Sequence, residues 1–400
     1  MMKNKNIAII GAGLTGLTAG YELGKKGHKV TIFEKGNDVG GLMGGFEIEG
    51  TSLEKGYHHI FRTDKYIIAL TKELGLLDKL KWYPESVAIF YKGKIYPFVG
   101  AIDLLKFNPI GIMNRLRTGM VALWLQKDKN WQKYKNIPAY LWMKKWCGQK
   151  AYKVIWEPLL KGKFHQYYDK VSMAWLWARI NTRGNSKTKG TSGENLGYFE
   201  GGFRIIADEL TKRIKNMGGS IKLDSEVDFG KIEKDFDKIL FTGAAKDVNY
   251  LGAVIMIFES EQNLSRYYWH NINDSNSPFL AFIQHTNLIN KSNYGGKHVY
   301  YLGTYLPHDH KYFKDDERLI RNDFYQYLKK IFPDFERGQI ESDWVFRLKN
   351  AQHIVDCNYK IPPYKISEKV YQANFAQVFP EDRGTNYAVR EGIKIADMIG

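Results

Sequence analysis

The chain has 400 residues, enough for two domains with their own cores, and its 44% apolar and 26% charged content is that of a globular chain rather than a disordered one. Lysine plus arginine outnumber aspartate plus glutamate by 59 to 43, a formal charge of +16, so the partners to weigh are an anionic small molecule, an acidic membrane surface and nucleic acid. Two cysteines, Cys147 and Cys357, exclude a disulfide framework, and no zinc-finger or RNP-type motif supports nucleic acid.

The cysteine usage fits a reducing cytoplasm, and no metal site is expected. No run of about 18 apolar residues is present, so nothing is expected to span a membrane. Lys3 and Lys5 precede an apolar stretch that glycines break at fixed spacing. That stretch reads as the first structural unit and not as a leader.

Residues 6–10, Asn-Ile-Ala-Ile-Ile, predict a buried parallel strand. Gly11-Ala12-Gly13-Leu14-Thr15-Gly16 follows, a complete GxGxxG. A helix with Leu14, Leu17, Tyr21 and Leu23 on its buried side comes next, then a strand over residues 28–33 ending at Glu34-Lys35. Gly11 permits the tight turn, Gly13 lets backbone approach a pyrophosphate, and Gly16 lets helix and strand pack closely. The helix start at Leu14 and Thr15 offers unpaired amides to phosphate, and a Glu34 carboxylate suits ribose hydroxyls and disfavours a 2′-phosphate.

The continuation, Lys35-Gly36-Asn37-Asp38-Val39-Gly40-Gly41-Leu42, resembles the FAD-binding amine oxidase superfamily, which includes protoporphyrinogen oxidases and UDP-galactopyranose mutases. Gly40 and Gly41 match its paired glycines, whereas Leu42 stands where a basic residue is usual. Gly201-Gly202-Phe203, a helical run through Ala207, Leu210 and Ile214, and a stretch from Gly219 to Val227 are similar to the segment that meets the adenine. The strand 238–241 ending in Thr242-Gly243 resembles the returning strand beside the ADP. Near the C-terminus, a strand is expected near Asn374, and Asn386-Tyr387-Ala388 resemble the start of the helix whose amides face the flavin pyrimidine. A helix N-terminus stabilises negative charge there.

The resemblance implies an α/β fold: an FAD-binding two-dinucleotide-binding (Rossmann-like, GR2-type) domain from residues 1–80, 190–250 and 355–400, with an inserted α+β substrate domain from 81–189 and 251–354. It implies non-covalent FAD, held by Gly11, Gly13, Leu14, Thr15, Gly16, Glu34, Lys35, Gly40, Gly41, Leu42, Val227, Thr242, Gly243, Asn386, Tyr387 and Ala388.

On the substrate side, residues 54–64 place His58 and His59 beside the ring in this reading. Their type suggests near-neutral pKa values suited to proton transfer. Arg179-Ile180-Asn181-Thr182-Arg183 resembles the mutase R-I-x-x-R, in which Arg183 would meet a pyrophosphate. The tyrosine- and arginine-rich segment expected after it is replaced by a polar loop over 185–197. Residues 107–180 predict lysine-rich helices with seven tryptophans, read as a core with a basic exterior, an aromatic pocket or a membrane-surface patch. Trp156-Glu157-Pro158 predicts a helix end. Residues 279–285 and 298–306 predict strands over the flavin. Lys349 is expected either near the ring or in solvent.

The expected activity is FAD-dependent oxidation of an unidentified small-molecule substrate, an anionic one among the options, by hydride transfer to flavin N5, with a sugar-nucleotide mutase acting through reduced FAD as the alternative. The expected place is the cytoplasm, with peripheral contact at the inner face of the membrane left open as an option. The oligomeric state is left open.

Overall fold

The computed structural model describes residues 4–186 and 193–400. A five-stranded parallel sheet runs in the spatial order Val370–Gln372, Lys238–Phe241, Asn6–Ile10, Lys29–Phe33 and Ser220–Lys222. Its central strand is covered on both faces, so Ile7, Ala8 and Ile9 are fully buried and the strand reads as an unbroken apolar run. The helix Leu14–Lys25 packs against the last helix, Thr385–Ile399, and against Arg204–Asn216. Close packing of the first and last helices requires Gly392, because a Cβ there would stand 2.8 Å from the Thr15 carbonyl oxygen.

A second sheet has seven strands, in the order Ile340–His353, Tyr250–Ser260, His298–Leu306, Ala281–Gln284, Trp269–Ile272, Val87–Tyr91 and Lys94–Pro97. All its pairings are antiparallel except Trp269–Ile272 with Val87–Tyr91. Successive strand residues face opposite ways. Val254, Met256 and Phe258 therefore pack towards Ile320, Phe324 and Leu328 of the helix Glu317–Ile331. Ala253 and Ile255 face the other way and line the main cavity.

The first sheet draws every strand from the segments assigned to the cofactor domain, and the second draws its strands from residues 87–97 and 250–353. The expected boundary at 189/190 lies outside the described residues. The expected polar loop over 185–197 falls partly outside them too, and its end is instead a strand, Asn195–Phe199, paired with Leu80–Pro84. No strand follows Lys222 towards Val227, which packs at the edge of the Ala8, Phe33 and Ile239 cluster. Beyond Gln372 the chain turns into a short 3-10 helix, Phe375–Gln377, capped by the Asn374 side chain.

Between the sheets' strands lies a helical region that includes Ile112–Lys127, Ala139–Cys147, Glu157–Phe164 and Met173–Asn185. Pro158 does not end a helix. A π-helical segment, Tyr152–Trp156, runs directly into Glu157–Phe164 with Pro158 in its first turn, and the Val154 carbonyl four residues before the proline accepts from Asn273 Nδ2 at 2.7 Å instead of from a backbone N–H. Of the tryptophans here, Trp175 and Trp142 are core residues, whereas Trp124 and Trp146 are exposed.

Candidate active site

At one end of the candidate site two glycine loops meet. Gly11 has φ +110°, and its N–H donates to the Phe33 carbonyl at 2.7 Å. A Cβ on Gly16 would lie 2.0 Å from the Gly11 carbonyl oxygen, so no other residue fits. Gly13 forms a bridge with Gly40, and the Gly40 N–H donates to the Ala12 carbonyl. The Gly40-Gly41 pair thus lies directly against the GxGxxG turn. Glu34 locks the loop: its carboxylate accepts from the Ala12 N–H at 2.8 Å and the Gly36 N–H at 2.9 Å. Thr242 Oγ1 lies within hydrogen-bond reach of the Ile10 and Gly11 carbonyls, beside Gly243. Lys35 is exposed.

At this site the first and last helices each begin on a glycine with no side-chain cap, Gly13 before Leu14 and Gly384 before Thr385. First-turn amides there have no intrahelical acceptor, which makes both ends anion-favouring. Asn374 Nδ2 is buried without a partner between the first sheet and the last helix. Backbone cradles that a Cβ would fill, two uncapped helix starts and an orphaned buried amide fit a dinucleotide that lies along this sheet.

The second end is a cavity of about 210 Å³. Leu42, the Gly56–His59 segment and the Gly384–Tyr387 helix start form one side. Ala253, Ile255, Trp269 and Tyr305 of the large sheet form another, and Lys163, Arg179 and Arg183 come from the helices. Lys349 is not among the lining residues; its side chain is exposed and its carbonyl accepts from His308 Nε2.

Charge dominates this cavity. Asp382 Oδ2 accepts from Lys163 Nζ and from Arg179 Nη1, each at 2.7 Å, and Trp175 Nε1 donates to Oδ1 at 3.3 Å. Burial alone would raise the Asp382 carboxyl, but Lys163 and Arg179 outweigh it and hold it well below the usual carboxylate range. Burial and the neighbouring Arg183 bring Arg179 down to about 10. Arg383 donates to the Tyr305 hydroxyl at 2.7 Å. Burial would raise that phenol, yet Arg383 and Lys163 bring it below its ordinary value, whereas burial pushes the neighbouring Tyr57 well up. Arg183 rests 5.7 Å from the Phe61 ring centroid. Among the described residues neither Arg183 nor Arg383 has a carboxylate partner.

His58 and His59 do line the cavity, but their expected near-neutral pKa values are corrected by their surroundings. Burial pushes His58 down to about 4, and burial with the Arg183 charge pushes His59 down to about 3. His58 Nδ1 lies 2.6 Å from the Gly56 carbonyl, which fixes the proton on Nδ1. Both rings are neutral at physiological pH. Lys163, Tyr305, Asp382 and Arg383 escaped the sequence reading as site residues. The one local signal was Asp382-Arg383 standing just before the glycine that opens the last helix.

This chain belongs to the family of flavin containing amine oxidoreductases, whose model matches residues 14–256. The dinucleotide that the cradle fits is therefore FAD. Among named relatives, it is 24% identical over 283 residues to coproporphyrinogen III oxidase of Staphylococcus aureus (strain NCTC 8325 / PS 47), an alignment that covers 63% of this chain and 60% of that protein. The chain thus spans less than two thirds of that relative's length. In fold it is similar to a putative protoporphyrinogen oxidase from Exiguobacterium sp. 255-15, with a TM-score of 0.75 and 16% identity over 100% of this chain and 99% of that one. A reduced UDP-galactopyranose mutase gives a TM-score of 0.73 and 15% identity over 100% and 94%. No helix among the described residues is long and apolar enough to cross a membrane.

Proposed function

We propose that the chain is an FAD-dependent oxidoreductase acting on a small anionic substrate in the 210 Å³ cavity. The observation that carries this reading is a surplus of buried and partly buried positive charge in the cavity: Lys163, Arg179, Arg183 and Arg383 outnumber its two lining carboxylates, Asp382, which is held ionised, and Asp64, which burial raises to about 6. An uncompensated buried cation is costly, and an anionic ligand removes that cost. When bound, FAD supplies the two-electron acceptor that takes a hydride at N5. In this reading Gly11, Gly13, Leu14, Thr15, Gly16, Glu34, Gly40 and Gly41 hold the ADP, with Val227, Thr242 and Gly243 flanking it. The start of the last helix at Asn386–Ala388 stabilises negative charge at the ring. Asp382 holds Lys163 and Arg179 in place, which leaves Arg183 and Arg383 to orient the substrate's anionic group. Neutral His58 and His59 shape the cavity and leave proton acceptance to the Tyr305 hydroxyl.

The mutase-like alternative has its own support in Arg183, a guanidinium without a carboxylate partner among the described residues and suited to pyrophosphate. A visible spectrum and an anaerobic titration separate the readings. Flavin bands near about 375 and about 450 nm that an anionic donor bleaches support the oxidoreductase. Bands that resist donors, with turnover of a nucleotide sugar only after prior reduction, support the mutase. A colourless protein that does not take up FAD overturns both.

A further inference from the structure

The helix Ile112–Lys127 has its apolar side facing outward. Met113, Leu116, Met120, Leu123 and Trp124 recur at three- and four-residue spacing, one face of a helix, and are between 40% and 66% exposed. Inward, the same helix buries Thr118, Val121 and Leu125. Its outer face continues sideways onto neighbouring helices through Ile102 and Leu105 on one side and Leu141 and Trp146 on the other, all exposed. The Trp124 and Trp146 rings meet edge to face at 5.2 Å, which joins the two helices into one surface. Ten of the protein's exposed large apolar side chains thus gather within residues 102–146. Scattered exposed apolar residues need no explanation, but a contiguous field of them marks a contact surface.

The charge around this field indicates what covers it. Residues 101–150 carry ten lysines and arginines against two aspartates, Asp103 and Asp128. Asp128 is taken up by Lys133, and Asp103 accepts from the Val99 and Gly100 amides. Lys106, Lys127, Lys145 and Lys150 are exposed around the field. Arg117 is bound to the carbonyls of Lys145 and Trp146 and ties the two helices together. An apolar, methionine-, leucine- and tryptophan-rich face ringed by lysines matches an anionic bilayer surface, with acyl chains against the face and headgroups against the rim. No described helix is long and apolar enough to cross a bilayer, and Ile112–Lys127 is roughly 24 Å long with Thr118, Val121 and Leu125 packed inward, so the contact lies in the interface plane.

We infer that the surface formed by Ile112–Lys127 and its flanking helices seats the protein on an anionic lipid membrane. Two hydrogen bonds join this surface to the cavity wall. Asn181, on the helix that carries Arg179 and Arg183, donates to the carbonyls of Leu125 and Gln126 on the lipid-facing helix.

The test is co-sedimentation of the FAD-loaded full chain with vesicles of phosphatidylcholine alone or with about one quarter phosphatidylglycerol. The expected result is binding to the anionic vesicles that weakens severalfold as salt is raised. Met113→Ser with Met120→Ser, both exposed, should lower the partition coefficient at least about tenfold while leaving the flavin spectrum unchanged. Quenching of tryptophan emission by brominated lipid should fall in Trp124→Phe with Trp146→Phe, which reports depth without relying on the first variant. Equal binding to neutral and anionic vesicles, or none to either, overturns the inference. So does a concentration-dependent dimer in sedimentation velocity that the same methionine substitutions abolish, since the face then serves a second copy of the chain. None of these readouts depends on turnover, so they stand or fall separately from the proposed activity.

Discussion

Lys163 Nζ lies 2.7 Å from Asp382 Oδ2, although the two residues are 219 positions apart in the chain. With Arg179 on the same oxygen, one carboxylate holds two buried cations at the cavity wall. Asp382→Asn leaves both without a counter-charge, and we expect a loss of about 3–5 kcal/mol in denaturant-unfolding stability. Adding Lys163→Met should restore part of it. Because the carboxyl is held low, its contribution is intact above the ordinary carboxylate range and is lost as pH falls through the folded-state value.

Arg183 has the opposite circumstance, a cation without a carboxylate among the described residues. If it binds the substrate's anion equally before and during reaction, Arg183→Gln raises KM by about 10- to 100-fold with kcat little changed. Steady-state kinetics with the donor that bleaches the flavin measure the split. A fall in kcat at constant KM would show that the guanidinium acts elsewhere.

The pH profile separates the tyrosine from the histidines. Tyr305 ionises below the ordinary phenol value because Arg383 and Lys163 outweigh its burial. Tyr305→Phe should therefore remove a rise in reductive half-reaction rate on the alkaline side. His59→Gln should leave the profile unchanged between about pH 5 and 8, because the ring is already neutral throughout. A histidine-dependent step in that range would contradict the assignment.

Away from the cavity, Glu54 is a buried acid whose carboxylate accepts from Tyr198 and from the Phe203 amide, and burial pushes its pKa from 4.5 to about 7. Between those values the folded chain binds more protons than the unfolded one. Stability from this group is fully present below the unfolded value and declines as pH rises through about 7, by roughly 3 kcal/mol. Glu54→Gln should flatten that part of the stability curve, as read from unfolding midpoints across pH.

Gly16→Ala should abolish FAD retention, because its methyl group would meet the Gly11 carbonyl and open the turn. The ratio of flavin to protein absorbance after gel filtration reports it.

The chain order alone determined the first βαβ unit. Asn6–Ile10, the glycines at 11, 13 and 16, and Glu34 form a local device, in which neighbouring residues set the turn and the helix start. The last helix, which begins beside Asn386, is legible through the family resemblance and not through a local signal of its own. Tertiary structure alone decided that Gly40 closes against Gly13, that Pro158 continues a helix through a π-turn, and that strands separated by long insertions build one cavity wall. It also decided the charge state of the site. His58 and His59 lose their ordinary titration, and Tyr305 and Asp382 acquire lowered values, because burial and charges delivered from distant segments act through space. A residue's type names its chemistry, but the dielectric and the neighbours that tune it exist only once the chain has folded.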